Sequence, residues 1–388
     1  MSSARVIIIG GGFAGLEAAR QLRGSRHTVT VVDPEPRFSW QPNLHELLSG
    51  RKTAAALSLP RRTLVERWGH TFSQHRALHI DTDRQAVALN NRSELRYDVL
   101  LVATGGRAAV ADLPALRQHS VGLRRVEQGE QLARRLSSLQ AAGSHHDVVV
   151  MGGGFIGVEI LGELLRSPVP GRQLTLVEGG ERLMAGFPES IHRSVMQRLA
   201  DAGVSVRLGA RVAEARPGAV VLQSGERLPS DLTIEALGLG PPPLLAASGL
   251  AGGQGWAPVR RSLQSTHHDN VFILGDSARL SGGLSKQAYH ALKMGAAASG
   301  GVERVLRGRS PRPFRPMEEV FLVTFGAQTT FFVARGLAVE QRALAAMREL
   351  IFQQGMLALD PPTVAAARAR LGDRVHAGLL RRLWPQAA

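Results

Sequence analysis

The sequence predicts an α/β fold built around one supersecondary unit that occurs twice. In each copy a short apolar strand runs into a glycine-rich turn, at residues 5–15 and again at 147–157. Each turn opens a helical pattern, and an acidic residue ends the strand that follows the helix. With 388 residues, 44% of them apolar and 20% charged, the chain has the length of two or three domains and the composition of a folded globular protein.

Residues 5–33 form the first unit. A strand precedes Gly10, a helical pattern continues to about Leu22, and the next strand ends at Asp33. In such a unit the first glycine permits a tight turn, the second lets the backbone approach a pyrophosphate, and the third allows close helix–strand packing. Amides at the helix N-terminus hold the phosphates, and the acid accepts hydrogen bonds from a ribose. We therefore predict a dinucleotide site at Gly10, Gly12, Phe13, Ala14, Gly15 and Asp33.

Residues 147–178 repeat this design, with a helix to about Leu165 and a strand that ends at Glu178. A carboxylate at the end of this strand disfavours the additional phosphate of NADP, so Glu178 favours NADH. Arg182 lies nearby and leaves NADPH open as the alternative. The predicted nicotinamide nucleotide site comprises Gly152, Gly154, Phe155, Ile156, Gly157 and Glu178.

Three further apolar strands run into glycine turns. Two of them are similar to each other and end at Ala103-Thr104-Gly105 and at Gly238, and the third ends at Gly275-Asp276. The carboxyl ends of parallel strands are where ligands gather in doubly wound folds. We therefore expect these residues to lie beside the nucleotides, with a helix-capping role for Asp276 as the alternative.

The composition excludes several kinds of chemistry. The chain has no cysteine, which rules out disulfides, thiolate-ligated metal centres and dithiol redox chemistry. Histidines that stand next to each other, at 145–146 and 267–268, do not share a helix face, so no metal site is predicted. No apolar run is long enough to span a bilayer, and we expect a cytoplasmic protein that is free or peripheral on the membrane.

The net charge of +15 comes from 47 Lys and Arg against 32 Asp and Glu, and only three of the basic residues are lysines. This excess of arginine is explained either by codon bias or by a basic surface for an anionic membrane, nucleic acid or anionic cofactors. The basic residues are spread along the chain without interleaved aromatics, so no nucleic-acid partner is predicted.

In their order and spacing, the segments 10–15, 103–105, 152–157 and 274–276 resemble the two-dinucleotide-domain flavoprotein reductases that are related to disulfide reductases. The resemblance covers nearly the whole chain. It implies two Rossmann-like dinucleotide-binding domains, with FAD bound by residues 1–112 and 239–312 and NAD(H) by an inserted domain at 113–238, followed by a C-terminal α+β region at 313–388. The cofactor-binding residues that it implies also include Gln41, Pro42, Ala77, Ala103, Thr104, Gly105, Gly238, Gly275, Asp276 and Lys286.

The absence of cysteine and two further sequence segments indicate which branch of this superfamily the chain resembles. Without cysteine, disulfide reductases and sulfide:quinone reductases are excluded. Residues 32–50 are similar to type II NADH dehydrogenases, and residues 284–290 are similar to the apoptosis-inducing-factor-like ferroptosis-suppressor quinone reductases. The resemblance implies an FAD-dependent NADH:quinone reductase. The alternatives are a flavin reductase or monooxygenase that serves a protein partner or a biosynthetic substrate, and an NADH-responsive redox sensor.

Four residues are candidates for the catalytic machinery. The resemblance places Glu159 near the flavin and nicotinamide and Lys286 near the flavin, where a positive charge favours the reduced ring. We expect these two side chains to be partners, the alternative being an exposed glutamate and an exposed lysine. Gln287 and Tyr289, with His290, are expected nearest a quinone, although core packing explains Tyr289 equally well.

The last part of the chain predicts a separate unit. Residues 314–333 alternate around Gly326 and predict a hairpin, followed by a helix over 342–359. Residues 364–384 predict a basic amphipathic helix that ends at Trp384. Such helices either lie on an anionic membrane surface or pack on the flavin domain or on a second subunit, which would make a homodimer.

Overall fold

The computed structural model describes residues 3–143, 145–166 and 169–361 and confirms the predicted α/β fold. Short 3₁₀ helices occur at Gln41–Leu47, Ala109–Asp112 and Gly275–Ser277. The α-helices are α1 (Phe13–Gln21), α2 (Arg61–Arg67), α3 (Pro114–Arg117), α4 (Val126–Ala141), α5 (Phe155–Arg166), α6 (Glu189–Asp201), α7 (Pro243–Ala247), α8 (Ala288–Val305) and α9 (Leu344–Leu359).

The strands in chain order are β1 (Arg5–Ile9), β2 (Thr28–Val32), β3 (Arg37–Ser39), β4 (Ser58–Pro60), β5 (Thr71–Ser73), β6 (Ala77–Asp81), β7 (Ala86–Leu89), β8 (Glu94–Arg96), β9 (Val99–Val102), β10 (Arg107–Ala108), β11 (Ser120–Gly122), β12 (His146–Met151), β13 (Arg172–Val177), β14 (Ser205–Arg207), β15 (Val212–Arg216), β16 (Gly218–Leu222), β17 (Arg227–Ser230), β18 (Leu232–Glu235), β19 (Leu239–Gly240), β20 (Ala257–Pro258), β21 (Val271–Ile273), β22 (Ala278–Arg279), β23 (Val320–Phe325), β24 (Thr329–Ala334) and β25 (Leu337–Glu340).

The first large sheet is parallel, with strand order β21-β9-β1-β2-β5. Its central strands are apolar and buried, as is typical of a parallel sheet covered on both faces. Helices α1 and α8 pack closely against each other: a Cβ on Gly295 would lie 2.3 Å from the Ala14 carbonyl oxygen. This contact places the N-termini of both helices in one unit.

The second large sheet is also parallel, with strand order β11-β18-β12-β13-β14. Strands β12 and β13 pair over six residues, from His146 with Arg172 to Met151 with Val177. Helix α5 follows β12, just as α1 follows β1 in the first sheet. The repeat predicted from the glycine turns is therefore a repeat of structure.

Smaller antiparallel sheets complete the described residues. Three of them are three-stranded, β6-β7-β8, β15-β16-β17 and β23-β24-β25, and two-stranded pairs form between β3 and β4, between β10 and β19 and, in parallel, between β20 and β22. The turn between β23 and β24 begins at Gly326, so the predicted hairpin is confirmed. The predicted helix over 342–359 corresponds to α9, whereas the helix predicted over 364–384 lies outside the described residues.

The C-terminal elements contact both large units. Gly326 in the hairpin turn meets Gly162 of α5 so closely that a Cβ on Gly162 would lie 2.4 Å from the Gly326 nitrogen. A Cβ on Gly355 of α9 would lie 1.9 Å from the Trp40 ring, and Phe352 packs edge-on against the same ring at 5.9 Å. The hairpin and α9 therefore bridge the two parallel sheets.

Within the described ranges, no helix combines the length and apolar character that crossing a bilayer requires. The same residues contain no group of three or more His, Asp or Glu side chains that could hold a metal ion.

Candidate functional site

The first glycine turn leaves one face open. Gly10 has φ of +102°, and a Cβ there would lie 2.2 Å from the Ala103 carbonyl oxygen, while a Cβ on Gly15 would lie 1.8 Å from the Gly10 oxygen. At Gly12, by contrast, a Cβ would meet no atom within 4 Å. Helix α1 begins next to this opening without a side-chain cap. Its free amides and the open glycine form a cradle that suits a pyrophosphate.

Asp33 fastens this turn from the end of β2. One carboxylate oxygen accepts a hydrogen bond from the Gly11 nitrogen at 2.7 Å, and the other accepts one from the Glu35 nitrogen at 2.8 Å. A carboxylate offers about four acceptor positions, so capacity remains for ribose hydroxyls. Arg61 lies 3.4 Å from Asp33 and donates to the Gly11 oxygen at 2.8 Å. Nothing in the local sequence around Arg61 indicated this role.

The second glycine turn repeats the geometry. Cβ atoms on Gly152 and Gly157 would lie 2.6 Å from the Ala236 oxygen and 1.9 Å from the Gly152 oxygen, whereas Gly154 is open. Glu178 takes the part of Asp33. Its carboxylate oxygens accept hydrogen bonds from the Gly153 nitrogen at 2.6 Å and the Gly180 nitrogen at 2.7 Å. A second cradle of the same kind therefore lies in the second sheet.

Arg182 is turned away from this role as a phosphate ligand. Its guanidinium donates to the Phe187 oxygen at 2.8 Å and pairs with Glu189 at 3.0 Å. Arg182, the residue that suggested NADPH as an alternative to NADH, is thus bound by α6 and by the loop before it.

Two strand ends of the first sheet meet as expected. Because β9 and β21 are neighbours, the Thr104 and Ser277 hydroxyl oxygens lie 3.0 Å apart, and Ser277 also donates to the Gly105 oxygen at 3.0 Å. Asp276 lies at this junction. Burial raises the pKa of its carboxyl group, and the positive charge of Lys286 opposes that shift.

Lys286 precedes α8 and lies against Asp276. Its ammonium group donates to the Asp276 carbonyl oxygen at 2.5 Å and lies 3.7 Å from the centre of the Trp256 ring. Burial lowers the pKa of Lys286, and the Asp276 carboxylate opposes that shift. The expected pairing with Glu159 is wrong, because the lysine is held by the strand end of its own unit.

Glu159 pairs instead with Arg348 of α9. The Glu159 side chain is 5% exposed, and its carboxylate accepts hydrogen bonds from the Arg348 guanidinium and from the Thr324 nitrogen at 3.2 Å. Burial raises the pKa of Glu159, and the Arg348 charge opposes the rise. The ring of His45 lies 3.6 Å from the second carboxylate oxygen.

These four residues, Glu159, Arg348, Thr324 and His45, form what we term the junction cluster. Arg348 donates to the Thr324 hydroxyl at 2.9 Å and to the Pro42 carbonyl oxygen, and the His45 Nε2 lies 3.3 Å from the same hydroxyl. Burial, followed by the Arg348 charge, holds the pKa of His45 well below its ordinary value. The cluster joins α5, α9, β23 and the helix Gln41–Leu47.

Comparison with protein families decides the classification. The family model of the pyridine nucleotide-disulphide oxidoreductases matches residues 4–295. The chain belongs to this family.

Curated relatives of this oxidoreductase agree among themselves. It is 30% identical over 289 residues to the demethylphylloquinone reductase NdbB of Synechocystis, which covers 71% of this chain and 72% of that protein. It is 26% identical over 326 residues to the type II NADH:quinone oxidoreductase of Haemophilus influenzae, which covers 71% and 73%. With the Staphylococcus aureus protein of that name it shares 23% identity over 378 residues, 89% of this chain and 94% of that one.

Solved structures show the same fold as this oxidoreductase. NDH2 from Plasmodium falciparum in complex with NADH matches with a TM-score of 0.82 at 13% identity, over 92% of this chain and 97% of that chain. The sulfide:quinone oxidoreductase of Aquifex aeolicus matches with a TM-score of 0.78 at 17% identity, over 96% of each chain.

The residues of this oxidoreductase fit FAD in the first cradle. Gly12 is open, no side chain among the described residues caps the first amides of α1, and Asp33 retains acceptor capacity. Phe13 packs edge-on against Phe38 at 5.0 Å, and Ala14 is buried against α8, so both serve the wall of the cradle. Ala77 begins β6 and pairs with Leu89 in the neighbouring strand.

Arg124 connects the two units of the oxidoreductase near the predicted residues Gln41 and Gly238. Gln41 donates to the Arg124 carbonyl oxygen at 3.3 Å, and the Arg124 guanidinium donates to the Gly238 carbonyl oxygen. The same guanidinium lies 3.6 Å from Glu235, a buried carboxylate at the end of β18. Neither Arg124 nor Glu235 was predicted from the sequence, because no local motif surrounds either residue.

At the start of α8, the predicted quinone-contacting side chains of Gln287 and Tyr289 are hydrogen-bonded to other protein groups. Gln287 donates to the Ser285 hydroxyl at 2.7 Å, and the Tyr289 hydroxyl donates to the Glu318 carbonyl oxygen at 2.7 Å. His290 is 2% exposed, its ring centre lies 4.0 Å from that of Tyr289, and neither ring nitrogen has a hydrogen-bond partner among the described residues. Tyr289 thus fastens the segment before β23.

Proposed function

We propose that this oxidoreductase is an FAD-dependent NADH:quinone reductase. The observation that carries the proposal is the pair of open glycine cradles, each fastened by an acid, in a chain without cysteine. Two cradles provide for two dinucleotides. Because no thiol can take up the electrons, they must leave on a diffusible acceptor, and the names of the relatives indicate a quinone.

The division of labour follows the two sheets. The strands of the first sheet lie within residues 1–112 and 239–312, and those of the second lie within 113–238. We propose these as the limits of the FAD and NAD(H) domains. FAD bound in the first would take up a hydride from NADH and pass two electrons to the quinone. The overall reaction consumes one proton from water for each quinol formed.

NADH is the proposed donor because Glu178 occupies the ribose end of the second cradle. A 2′-phosphate there would meet a carboxylate whose two oxygens are already fixed by backbone amides. The negative charges of the phosphate and of the Glu178 carboxylate would repel each other. We expect a higher initial rate with NADH than with NADPH, and a preference for NADPH would contradict this role of Glu178.

Lys286 supplies a positive charge where the flavin ring would be expected, beside Asp276 and the N-terminus of α8. Such a charge stabilises electron density that develops on a bound ring. The polar groups of Gln287 and the ring of His290 lie in the same segment, and we propose this segment as the quinone contact. Glu159, paired with Arg348, is proposed as the acidic group near the nicotinamide.

We further propose that α9 contacts an anionic membrane surface, where quinones reside. Ile351 and Leu357 of α9 are 52% and 42% exposed and lie away from the junction cluster, while Arg348 and Phe352 face inward. A helix with one buried and one exposed apolar face suits a membrane interface. A second copy of the chain is the alternative occupant of this face.

An anaerobic stopped-flow experiment tests the function. The FAD-loaded protein is reduced with NADH and mixed with a short-chain quinone while the flavin absorbance is followed. We expect faster reoxidation by quinone than by oxygen. Lys286→Ala should slow flavin reduction or reoxidation without loss of FAD, whereas Lys293→Ala, an exposed lysine of α8, should behave as wild type. Reduced flavin that persists in quinone would contradict the proposal and favour the sensor.

A further inference from the structure

A basic cavity lies at the end of α8 that is remote from the first glycine cradle. It is open to solvent, has a volume of about 440 Å³ and is lined by four exposed residues, Arg261, Arg312, Pro313 and Arg315. The lining segment packs on the last turns of α8, where a Cβ on Gly301 would lie 3.5 Å from Pro311. Because 18 helical residues span about 27 Å, the cavity is well separated from Lys286 at the other end of the helix.

The segment that carries two of these arginines is held in place. Phe314, between Pro313 and Arg315, is 5% exposed and belongs to the main hydrophobic core. Its backbone nitrogen donates to the Arg261 carbonyl oxygen at 2.6 Å. Prolines at 311, 313 and 316 restrict the backbone further. The backbone positions of the three arginines are therefore fixed beside one cavity before any ligand arrives, so a ligand has to order only their exposed side chains.

The charges in this cavity are not compensated within the described ranges 3–143, 145–166 and 169–361. There, none of Arg261, Arg312 and Arg315 forms an ion pair with a carboxylate. Arginines just outside the cavity do: Arg260 pairs with Asp269 at 2.5 Å and Arg307 with Glu303 at 3.4 Å. Three like charges around one cavity repel each other, and a bound anion relieves that repulsion.

We propose that this cavity is a binding site for a phosphate-bearing anion, held by Arg261, Arg312 and Arg315. The guanidinium group presents a planar fork of donors that matches phosphate oxygens in a bidentate manner. The lining contains no aromatic ring on which a base could stack, so the phosphates carry the recognition. The volume exceeds that of one phosphate, which suits a pyrophosphate or a phospholipid headgroup. The site is independent of the proposed quinone reductase activity.

Titration calorimetry with inorganic pyrophosphate tests the site on the full-length FAD-loaded protein. Saturating NAD⁺ occupies the second cradle, so that pyrophosphate does not bind there. The test variant carries Arg261→Gln, Arg312→Gln and Arg315→Gln. Its matched control carries Arg117→Gln, Arg135→Gln and Arg193→Gln, three exposed arginines elsewhere that remove the same charge.

We expect wild type and control to bind pyrophosphate equally and the test variant to bind at least about tenfold more weakly, with added salt weakening the wild type. A parallel arm uses co-sedimentation with vesicles of phosphatidylglycerol in phosphatidylcholine, compared with phosphatidylcholine alone. Loss of pyrophosphate affinity in the test variant identifies a free phosphate ligand. Loss confined to anionic vesicles identifies a lipid headgroup.

Two results would overturn the site. One is equal binding by wild type and the test variant in both arms, including no binding by either. The other is an equal loss in the control, which would show that only net charge matters. Unchanged flavin content and thermal midpoint establish that each variant is folded.

Discussion

The Arg348 guanidinium pairs with the buried Glu159 carboxylate, which among the described residues also accepts a hydrogen bond from the Thr324 nitrogen. Removing one member of a buried ion pair costs about 3–5 kcal/mol, whereas an exposed pair contributes less than about 1 kcal/mol. We expect Arg348→Met to lower the free energy of unfolding by the larger amount in urea denaturation. Arg84→Met, which breaks the exposed pair with Glu94, is the control. Equal losses in both variants would contradict a buried pair, and adding Glu159→Gln should restore part of the Arg348→Met loss.

His45 makes stability depend on pH in a definite direction. Its pKa is lowered well below the ordinary 6.5 by burial and by the Arg348 charge, so the folded chain leaves it neutral where the unfolded chain protonates it. The part of the unfolding free energy that comes from keeping His45 neutral is fully present above pH 6.5 and is lost as the pH falls. The slope for one proton is about 1.4 kcal/mol per pH unit. The unfolding free energy of His45→Gln should therefore fall less steeply between pH 7 and pH 5 than that of wild type. Part of the fall should remain, because burial also lowers the pKa values of His70 and His290. A slope as steep as wild type would refute the assignment.

At the scale of elements, each glycine turn separates a structural glycine from a ligand-facing one. Gly157→Ala would drive a Cβ into the Gly152 carbonyl oxygen at 1.9 Å, whereas Gly154→Ala meets no protein atom. We expect Gly154→Ala to retain the thermal midpoint and flavin content but to raise the KM for NADH at least about tenfold, because backbone must approach the pyrophosphate there. Gly157→Ala should destabilise the protein. Gly300→Ala, in open space on α8, is the control and should leave KM unchanged. An unchanged KM in Gly154→Ala would exclude the second cradle as the nucleotide site.

The same scale shows what the sequence could and could not predict. The strand–turn–helix units were predictable because each motif is contained in about thirty consecutive residues. Gly10 and Asp33 mark the ends of the first motif, and Gly152 and Glu178 mark those of the second. The Glu159–Arg348 pair was not, because 189 positions separate its members and only the packing of α9 brings them together. One signal was present: the charged residues Arg348 and Glu349 interrupt the apolar first half of α9. A charged residue on a buried helix face requires a partner.

Across the whole molecule, the C-terminal elements determine how the two parallel sheets are held together. The hairpin turn meets α5 of one unit, while α9 covers Trp40 of the other. Lys52 reinforces this contact by pairing with Glu349 of α9 at 2.8 Å and by lying 4.1 Å from the centre of the Phe352 ring. With its inner face committed to these contacts, α9 presents its outer apolar face to a further surface.

We expect the outer face of α9 to bind an anionic membrane. If α9 rests on a bilayer, Ile351→Gln with Leu357→Gln should weaken binding to anionic vesicles at least about tenfold, because the two half-exposed apolar side chains together lose about 1.5–3 kcal/mol of burial in the interface. Leu78→Gln with Leu113→Gln is the matched control, since those leucines are 52% and 46% exposed outside the C-terminal elements. Turnover with a water-soluble quinone and the thermal midpoint should not change in either variant, because all four side chains are about half exposed and none takes part in the hydrogen bonds and ion pairs described for the site. Equal vesicle binding by the two double variants would exclude α9 as the membrane face, and a concentration-dependent shift in sedimentation velocity that only the α9 variant abolishes would assign that face to a second copy of the chain.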